Sequence, residues 1–214
     1  MYMCFSAPAS FIASGGLAVI GGASFVVAKK EDKFLALIPL LFAVQQFFEG
    51  IQWLSLNAGS SSPLAAYFFL FFAYIVWPIY VPACVLILDK ERRKIMQWFL
   101  FLGVIVAAYA LIMLVMQSLA VQKMNACITY KFNIPFANFF DIAYLTAVFV
   151  PLFVSSREIF RWFGVVVAFL AIISWLFFAL AFTSVWCFFA AIVSSMFFAY
   201  INIKDRYKIK KIQP

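Results

Sequence analysis

The sequence has 214 residues, of which 67% are hydrophobic, 21% aromatic and only 11% charged, with a formal net charge of +8. A soluble domain of this length has no core large enough to bury so many apolar side chains, 29 of them phenylalanine, so the composition excludes an ordinary soluble fold and indicates a membrane protein. The positive charge does not predict a nucleic-acid partner, because in a membrane protein the position of each Lys and Arg is more informative than their total.

Seven hydrophobic segments follow one another along the chain, each near the roughly 20 residues that a bilayer-spanning helix needs. We therefore predict an all-α fold, a polytopic membrane bundle of seven transmembrane helices formed by residues 1–203, followed by a basic tail at 204–214. The last boundary, at Thr183-Ser184, leaves almost no loop, so six helices with one long hairpin-like element is the alternative. The predicted segments are Pro8 to Ala28, Phe34 to Leu56, Pro63 to Leu88, Ile95 to Gln117, Phe136 to Val154, Trp162 to Phe182 and Val185 to Ile203.

The distribution of Lys and Arg predicts an orientation. Fourteen of the 16 basic residues fall in the first, third and fifth connections and in the tail, and only Lys123 and Lys131 fall on the other side. By the positive-inside rule the N-terminus is outside and the tail is cytoplasmic. We expect a prokaryotic cytoplasmic (inner) membrane, with membrane lipids as partners, no nucleic acid, and a surface that allows a homo-oligomer.

Two acids are predicted at membrane depth. Glu49 shares one helical face with Gln45 and Gln52, because spacings of four and three residues bring side chains onto the same side of a helix. Asp141 lies five residues into the fifth segment, at about the same distance from the outer surface as Glu49 at 1.5 Å per residue. An ionised carboxylate at this depth needs hydrogen bonds or water. We therefore predict an outward-facing, polar, aromatic-lined cavity with Glu49 at or near its floor.

The alternative interpretation is structural: Glu49 is then a neutral acid that forms hydrogen bonds between helices, and Asp141 is solvated at the interface. Tryptophans in membrane helices are more often packing or interfacial anchors than ligand contacts, and Trp186 is the one we favour as a ligand contact. The predicted ligand-binding or ion-binding residues are Glu49, Gln45, Gln46, Gln52, Asp141, Trp53, Trp186 and Ser6.

Packing signals occur in two helices. Ser10, Ser14, Ala18 and Gly22 form a stripe of small residues that predicts a close helix contact. Trp77-Pro78 and Pro82 predict a kink, because proline removes a backbone donor inside the helix.

The cysteines form no metal-binding spacing. Cys4, Cys127 and Cys187 are predicted near the oxidising outer side, where a disulfide from Cys4 to either of the other two is allowed, and free buried thiols are the alternative. No His is present, which disfavours metal sites and the usual proton shuttle, so no metal or cofactor is predicted.

Three stretches together resemble a family of uncharacterised bacterial seven-helix membrane proteins that begin with a Met-Cys-Phe-Ser-Ala signature. They are Met3-Cys-Phe-Ser-Ala-Pro-Ala-Ser-Phe11, Pro39-Leu-Leu-Phe-Ala-Val-Gln-Gln-Phe-Phe-Glu-Gly-Ile-Gln-Trp-Leu54 and Ser184-Val-Trp-Cys-Phe-Phe-Ala-Ala191. The resemblance implies no reaction. The matching motif residues that it marks for testing are Cys4, Ser6, Gln45, Gln46, Glu49, Trp53, Trp186 and Cys187.

The function we predict is binding or transport of a small polar or cationic solute, with Glu49 as the protonatable or cation-binding group. A sensory or interaction module that acts through a partner protein is the first alternative, and a lipid-modifying membrane enzyme is the second. An enzyme is disfavoured because no metal motif and no nucleophile with a His base is present.

Overall fold

The computed structural model describes residues 6–124 and 127–203. Within these ranges the chain is almost entirely helical and contains six helices that are long and apolar enough to cross a membrane. This confirms the predicted all-helical fold and the presence of several helices that could span a membrane. The helices are α1 (Ala7–Val27), α2 (Lys33–Asn57), α3 (Pro63–Phe71), α4 (Trp77–Leu88), α5 (Arg93–Met116), α6 (Ala137–Val154), α7 (Glu158–Phe178) and α8 (Phe182–Ser194).

Local sequence signals explain where the helices begin and how they are joined. Ser6 and Ser62 are N-caps whose hydroxyl oxygens accept hydrogen bonds from the backbone N–H groups of Ala9 and Ala65, and each is followed by a proline in the first turn. Helices α3 and α4 form one continuous run, Pro63–Leu88, through a π-helical turn at Phe72–Val76.

That π turn lies directly before Pro78, at the position where the sequence predicts a kink. In π-helical hydrogen bonding the N–H of residue 78 would bond the carbonyl of Ala73, but proline has no N–H. The Tyr144 hydroxyl donates to this carbonyl oxygen instead, at 2.6 Å. A side chain of α6 thus replaces the backbone donor that proline lacks.

The last helical run, Glu158–Ile203, folds back on itself. The backbone leaves helical geometry at Phe178, a 3-10 turn follows at Ala179–Ala181, and α8 then begins. The rings of Phe163 and Phe197 are 4.7 Å apart, whereas an unbroken helix would separate them by about 50 Å at 1.5 Å per residue. The run is therefore a pair of antiparallel helices, with 196–203 continuing after a turn at Ser195.

A β-hairpin connects α5 to α6, between the fourth and fifth predicted segments. Its strands are β1 (Ala120–Met124) and β2 (Cys127–Lys131), paired antiparallel with Met124 opposite Cys127. Lys123 donates to the Asn57 side chain at 2.8 Å, so the hairpin lies over the α2–α3 connection. We call this the hairpin end of the bundle.

The opposite end, which we call the Asp89 end, is held by one carboxylate. Asp89 accepts hydrogen bonds from the Ser155 hydroxyl (2.9 Å), the Ser156 hydroxyl (2.8 Å), the Ser156 backbone (2.7 Å) and the Arg92 backbone (3.2 Å). These bonds join the α4–α5 and α6–α7 connections. Burial alone would raise the pKa of Asp89, but the hydrogen bonds from Ser156, Ser155 and Arg92 outweigh it and hold the pKa below its usual value.

Helix α1 packs on α2 through small residues, but the stripe differs from the predicted one. Ser10, Leu17, Gly21 and Ser24 are the buried positions, while Ala18 is exposed and a Cβ on Gly22 would touch nothing. A Cβ on Gly21 would come within 2.7 Å of the Leu40 side chain. Ser10 and Ser14 of the predicted stripe do lie in this contact, since Ser10 is buried and the Ser14 hydroxyl donates to the Ala43 carbonyl at 2.8 Å. The prediction was wrong only at Ala18 and Gly22, where Leu17 and Gly21 are the buried positions instead.

Candidate functional site

Four polar side chains of α2 form a buried cluster. Gln45, Gln46, Glu49 and Gln52 are each at most 1% exposed. They share a helical face, which contacts α8, α4 and the α2–α3 connection. We call these four residues the α2 polar cluster.

The Glu49 carboxyl group receives a short hydrogen bond from the hydroxyl of Ser184, in the first turn of α8. The Gln45 side-chain oxygen accepts from the Trp77 indole N–H at 2.9 Å, and the Gln52 amide donates to the Ser61 hydroxyl at 3.0 Å. Each bond joins α2 to a different segment. The cluster therefore ties α2 to α8, α4 and the α2–α3 connection.

Many buried polar atoms near the α2 polar cluster and the hairpin have no hydrogen-bond partner among the described residues. Leaving such atoms unpaired costs about 1–3 kcal/mol each, so native proteins usually satisfy them with water or a ligand. The atoms are Gln46 Oε1, Gln52 Oε1, Trp53 Nε1, Thr129 Oγ1, Tyr130 Oη and Trp186 Nε1.

A cavity of about 670 Å³ lies beside this cluster, between α6, α7 and α8, and falls in the size range of small-molecule sites. Its polar or titratable side chains are Tyr74, Tyr130, Asp141, Tyr144, Thr183 and Cys187. Its apolar and tryptophan lining is Leu145, Phe149, Ala168, Ala171, Ile172, Trp175, Ala179, Leu180, Phe182 and Trp186.

Asp141 is the one carboxylate in this lining, and no Lys or Arg of the described residues accompanies it. The Tyr74 hydroxyl is hydrogen-bonded to the Thr183 hydroxyl at 2.9 Å. Burial raises the pKa of Tyr130 well above its usual value, and the nearby charge of Glu49 adds to this, so the Tyr130 hydroxyl is a neutral donor. Asp141 is therefore the one acid of the cavity lining, and its other polar side chains are hydroxyl groups and a thiol.

Aromatic rings form much of the cavity wall. Trp186 is stacked with Phe149 at 5.6 Å and with Phe182 at 5.3 Å between ring centroids, and Tyr144 meets it edge-on at 6.3 Å. Offset stacked and edge-to-face pairs of this kind hold the rings in fixed orientations. The cavity wall is therefore largely preformed.

Toward the Asp89 end, Tyr144, Trp186 and Cys187 separate the large cavity from a second one of about 40 Å³. That smaller cavity has an almost wholly apolar lining, including Phe42, Val148 and Phe197, and such cavities stay dry. The large cavity therefore ends at these three side chains.

Comparison with known families gives one match. The model of a family of unknown function, DUF6629, matches residues 3–211. The chain belongs to this family. No curated protein sequence and no solved structure is significantly similar to it. The family match covers both the α2 polar cluster and the cavity but assigns no role to either.

The structure divides the predicted site residues of this DUF6629 member into two groups. Asp141, Trp186 and Cys187 line the cavity, whereas Gln45, Gln46, Glu49 and Gln52 lie behind α8 and do not. The first turn of α8 separates them, because Thr183 faces the cavity and its neighbour Ser184 binds Glu49. The two predicted acids therefore do not share one site.

Trp53 and Ser6 lie in neither group. Trp53 packs with Ala7 and Ile128 beneath the hairpin, and the Lys123 ammonium is 5.7 Å from its ring centroid. Ser6 is the N-cap of α1.

No disulfide occurs among the described residues, and Cys187 has a free thiol. Cys4 lies outside the described residues. Cys127 is buried against Ala181 and Val185, while Cys187 packs with Phe69 and Leu70, so the two residues belong to different clusters. The described part of the chain also contains no group of three His, Cys, Asp or Glu side chains placed to hold a metal ion.

Several site residues escaped the sequence predictions, namely Ser184, Thr183, Tyr74, Tyr130 and Tyr144. Ser184 begins one of the three quoted motif stretches, and this was the available signal for it. The tyrosines gave none, since tyrosine is common in membrane helices and at their ends.

Proposed function

We propose that the protein crosses a prokaryotic cytoplasmic membrane seven times, with the hairpin end outside and the Asp89 end inside. The six apolar helical runs support this, because the last of them contains the reversal at Ala179–Ala181. The charges also support it. Fourteen of the 16 Lys and Arg residues belong to the connections at the Asp89 end, to the first turn of the helices that follow them, or to the tail, and Lys123 and Lys131 belong to the hairpin.

The function that the geometry supports best is binding of a small organic cation in the cavity between α6, α7 and α8. The observation that carries this proposal is the placement of Asp141. Its carboxylate lines an aromatic cavity that has no basic side chain among the described residues. Proteins recognise organic cations with a carboxylate for charge and ring faces for the alkyl groups.

Two polar groups beside the cavity are not satisfied by the part of the protein that the structure describes. The Trp186 indole N–H and the Tyr130 hydroxyl have no partner among the described residues, although both atoms are buried. A bridging water would satisfy them. Asp141 is therefore the one polar contact that this proposal assigns to the cation.

This proposal assigns the cation contact to Asp141 rather than to Glu49. Glu49 does not line the cavity, but its hydrogen bond to Ser184 fixes the first α8 turn, which carries Thr183 and precedes Trp186. Glu49 is therefore proposed as a positioning residue for the cavity wall.

The test is titration of purified protein in nanodiscs with tetramethylammonium, followed by tryptophan fluorescence and calorimetry. Asp141→Asn should weaken binding at least about tenfold, equivalent to about 1.4 kcal/mol. Glu158→Gln is the matched control, because Glu158 is an exposed acid outside the cavity, and it should bind like wild type. Equal affinity of wild type and Asp141→Asn, with both proteins folded, would contradict the proposal.

A further inference from the structure

The cavity lies between two helices that converge at one end only. At the Asp89 end α6 and α7 are in close contact, because a Cβ added to Gly164 would lie 2.9 Å from the Leu152 side chain. Toward the hairpin end the same two helices line opposite walls of the cavity, with Leu145 and Phe149 on α6 and Ala168 and Ile172 on α7. The gap between α6 and α7 thus widens toward the hairpin end.

The side of this gap that faces away from the bundle is apolar and exposed. Ile172 is 57% exposed and Trp175 64% exposed, and both line the cavity; Leu145, on the opposite wall, is 38% exposed. In the proposed membrane topology these side chains meet lipid rather than water. The cavity is therefore open sideways, toward the hydrocarbon of the outer leaflet.

On the α6–α7 side of the cavity, the acid and the apolar side chains are ordered along the membrane normal. Asp141 lies four residues after the first residue of α6, so it is about 6 Å from the end of that helix nearest the hairpin. Phe149 lies about 12 Å deeper at 1.5 Å per residue. On α7, Trp175 lies about 4 to 5 Å from the helix end at Phe178, which is nearest the hairpin, and Ala168 lies about 15 Å from the same end. The charge therefore lies near headgroup depth. Below it the α6–α7 side of the cavity is apolar apart from Tyr144, whose hydroxyl is already bonded to the Ala73 carbonyl.

From this order we infer that the ligand is a cationic amphiphile with a single hydrocarbon chain, which enters from the bilayer between α6 and α7. Its headgroup lies at Asp141, and its chain follows Leu145, Phe149 and Ala168 toward the contact of Leu152 with Gly164. This inference rests on the proposed function and specifies its ligand class. Anionic amphiphiles are disfavoured, because Asp141 would repel their headgroup and no described Lys or Arg lines the cavity to attract it.

The experiment compares tetramethylammonium, octyltrimethylammonium and dodecyltrimethylammonium on wild type and Asp141→Asn in nanodiscs. Dodecyl sulfate is the matched anionic probe. Each probe partitions equally into the lipid of both nanodisc samples, so the binding to wild type minus the binding to Asp141→Asn is the binding in the cavity. We call the affinity of this difference the specific affinity. We expect the specific affinity to rise at least tenfold from tetramethylammonium to dodecyltrimethylammonium, with no specific binding of dodecyl sulfate.

Bromine on the terminal chain carbon provides a second measurement. A brominated dodecyltrimethylammonium should quench wild-type tryptophan fluorescence more strongly than that of Asp141→Asn, since Trp175 and Trp186 line the cavity. Specific affinity that does not depend on chain length, or equal binding of dodecyl sulfate, would overturn the inference and leave the proposed function intact. No specific binding of any of the three cations would overturn both.

Discussion

At the scale of single residues, Glu49 depends on a partner that lies far along the chain. Ser184 is 135 residues away, and its hydroxyl supplies the hydrogen bond to this buried carboxyl group. The sequence predicted the shared face of Gln45, Glu49 and Gln52, because helical spacing alone determines it. It did not predict Ser184 as a partner, because that contact depends on how α8 packs against α2.

Ser184→Ala should therefore destabilise the protein by about 1–3 kcal/mol, the cost of leaving a buried polar group without its donor. Ser195→Ala is the control, since the Ser195 hydroxyl is exposed and bonds only to a carbonyl one turn back; it should change stability by less than about 0.5 kcal/mol. Thermal unfolding in detergent measures both. A double mutant with Glu49→Gln should show coupling, and strict additivity would contradict a direct interaction.

The hydrogen bonds of Asp89 predict that the stability of the folded protein depends on pH. Its folded-state pKa is below its usual value, so the stability it contributes is fully present above the unfolded-state pKa of about 3.9 and is lost as the pH falls through the lower folded-state value. Asp89→Asn should cost about 2–3 kcal/mol at pH 7, because the amide donors of Asn oppose the donors of Ser155 and Ser156.

The measurement is the unfolding temperature of wild type and Asp89→Asn from pH 7 down to pH 3. The difference between the two proteins should shrink as the pH falls below about 4. Glu91→Gln, in the same connection and exposed, is the control and should match wild type throughout. A difference that stays constant with pH would rule out this role for the Asp89 charge.

At the scale of the elements, α4 and α5 approach each other at a single glycine. A Cβ on Gly103 would lie 1.8 Å from the carbonyl oxygen of Pro78, and a backbone atom cannot move aside as a side-chain end can. This contact lies two residues beyond the π turn that Tyr144 completes. The proline, the glycine and the tyrosine thus form one packing unit across three helices.

Gly103→Ala should accordingly destabilise the protein by about 1–3 kcal/mol or prevent its folding, although alanine is the better helix former. Gly16→Ala is the matched control, because its added methyl group meets nothing within 4 Å, and it should be neutral or slightly stabilising. Yield of folded protein and the unfolding temperature measure the effect. Equal behaviour of the two variants would disprove the close α4–α5 contact.

The elements differ in how well the sequence predicts them. Helix boundaries such as Ser62-Pro63 follow from local capping chemistry, and the Trp77-Pro78 irregularity follows from the missing N–H group. The hairpin was missed because its strands have only five residues each, and β1, Ala-Val-Gln-Lys-Met, lacks a strong strand pattern. The cavity is a gap between packed helices, and hydropathy carries no information on such gaps.

At the scale of the whole molecule, the proposed orientation can be tested with single cysteines. Ser60→Cys, in the connection covered by the hairpin, should react with a membrane-impermeant thiol reagent in intact cells well above the wild-type background. Glu91→Cys, in the connection at the Asp89 end, should react only after permeabilisation. Both positions are exposed. The reverse pattern would contradict the orientation.

The central claim is that a cation binds at Asp141 in the cavity between α6, α7 and α8. The most direct measurement is an experimental structure of the protein with a trimethylammonium amphiphile whose terminal chain carbon is brominated. The account predicts headgroup density within about 6 Å of the Asp141 carboxylate and of an aromatic ring face, and bromine density between α6 and α7. An empty cavity at saturating ligand, or a headgroup bound elsewhere, would contradict it.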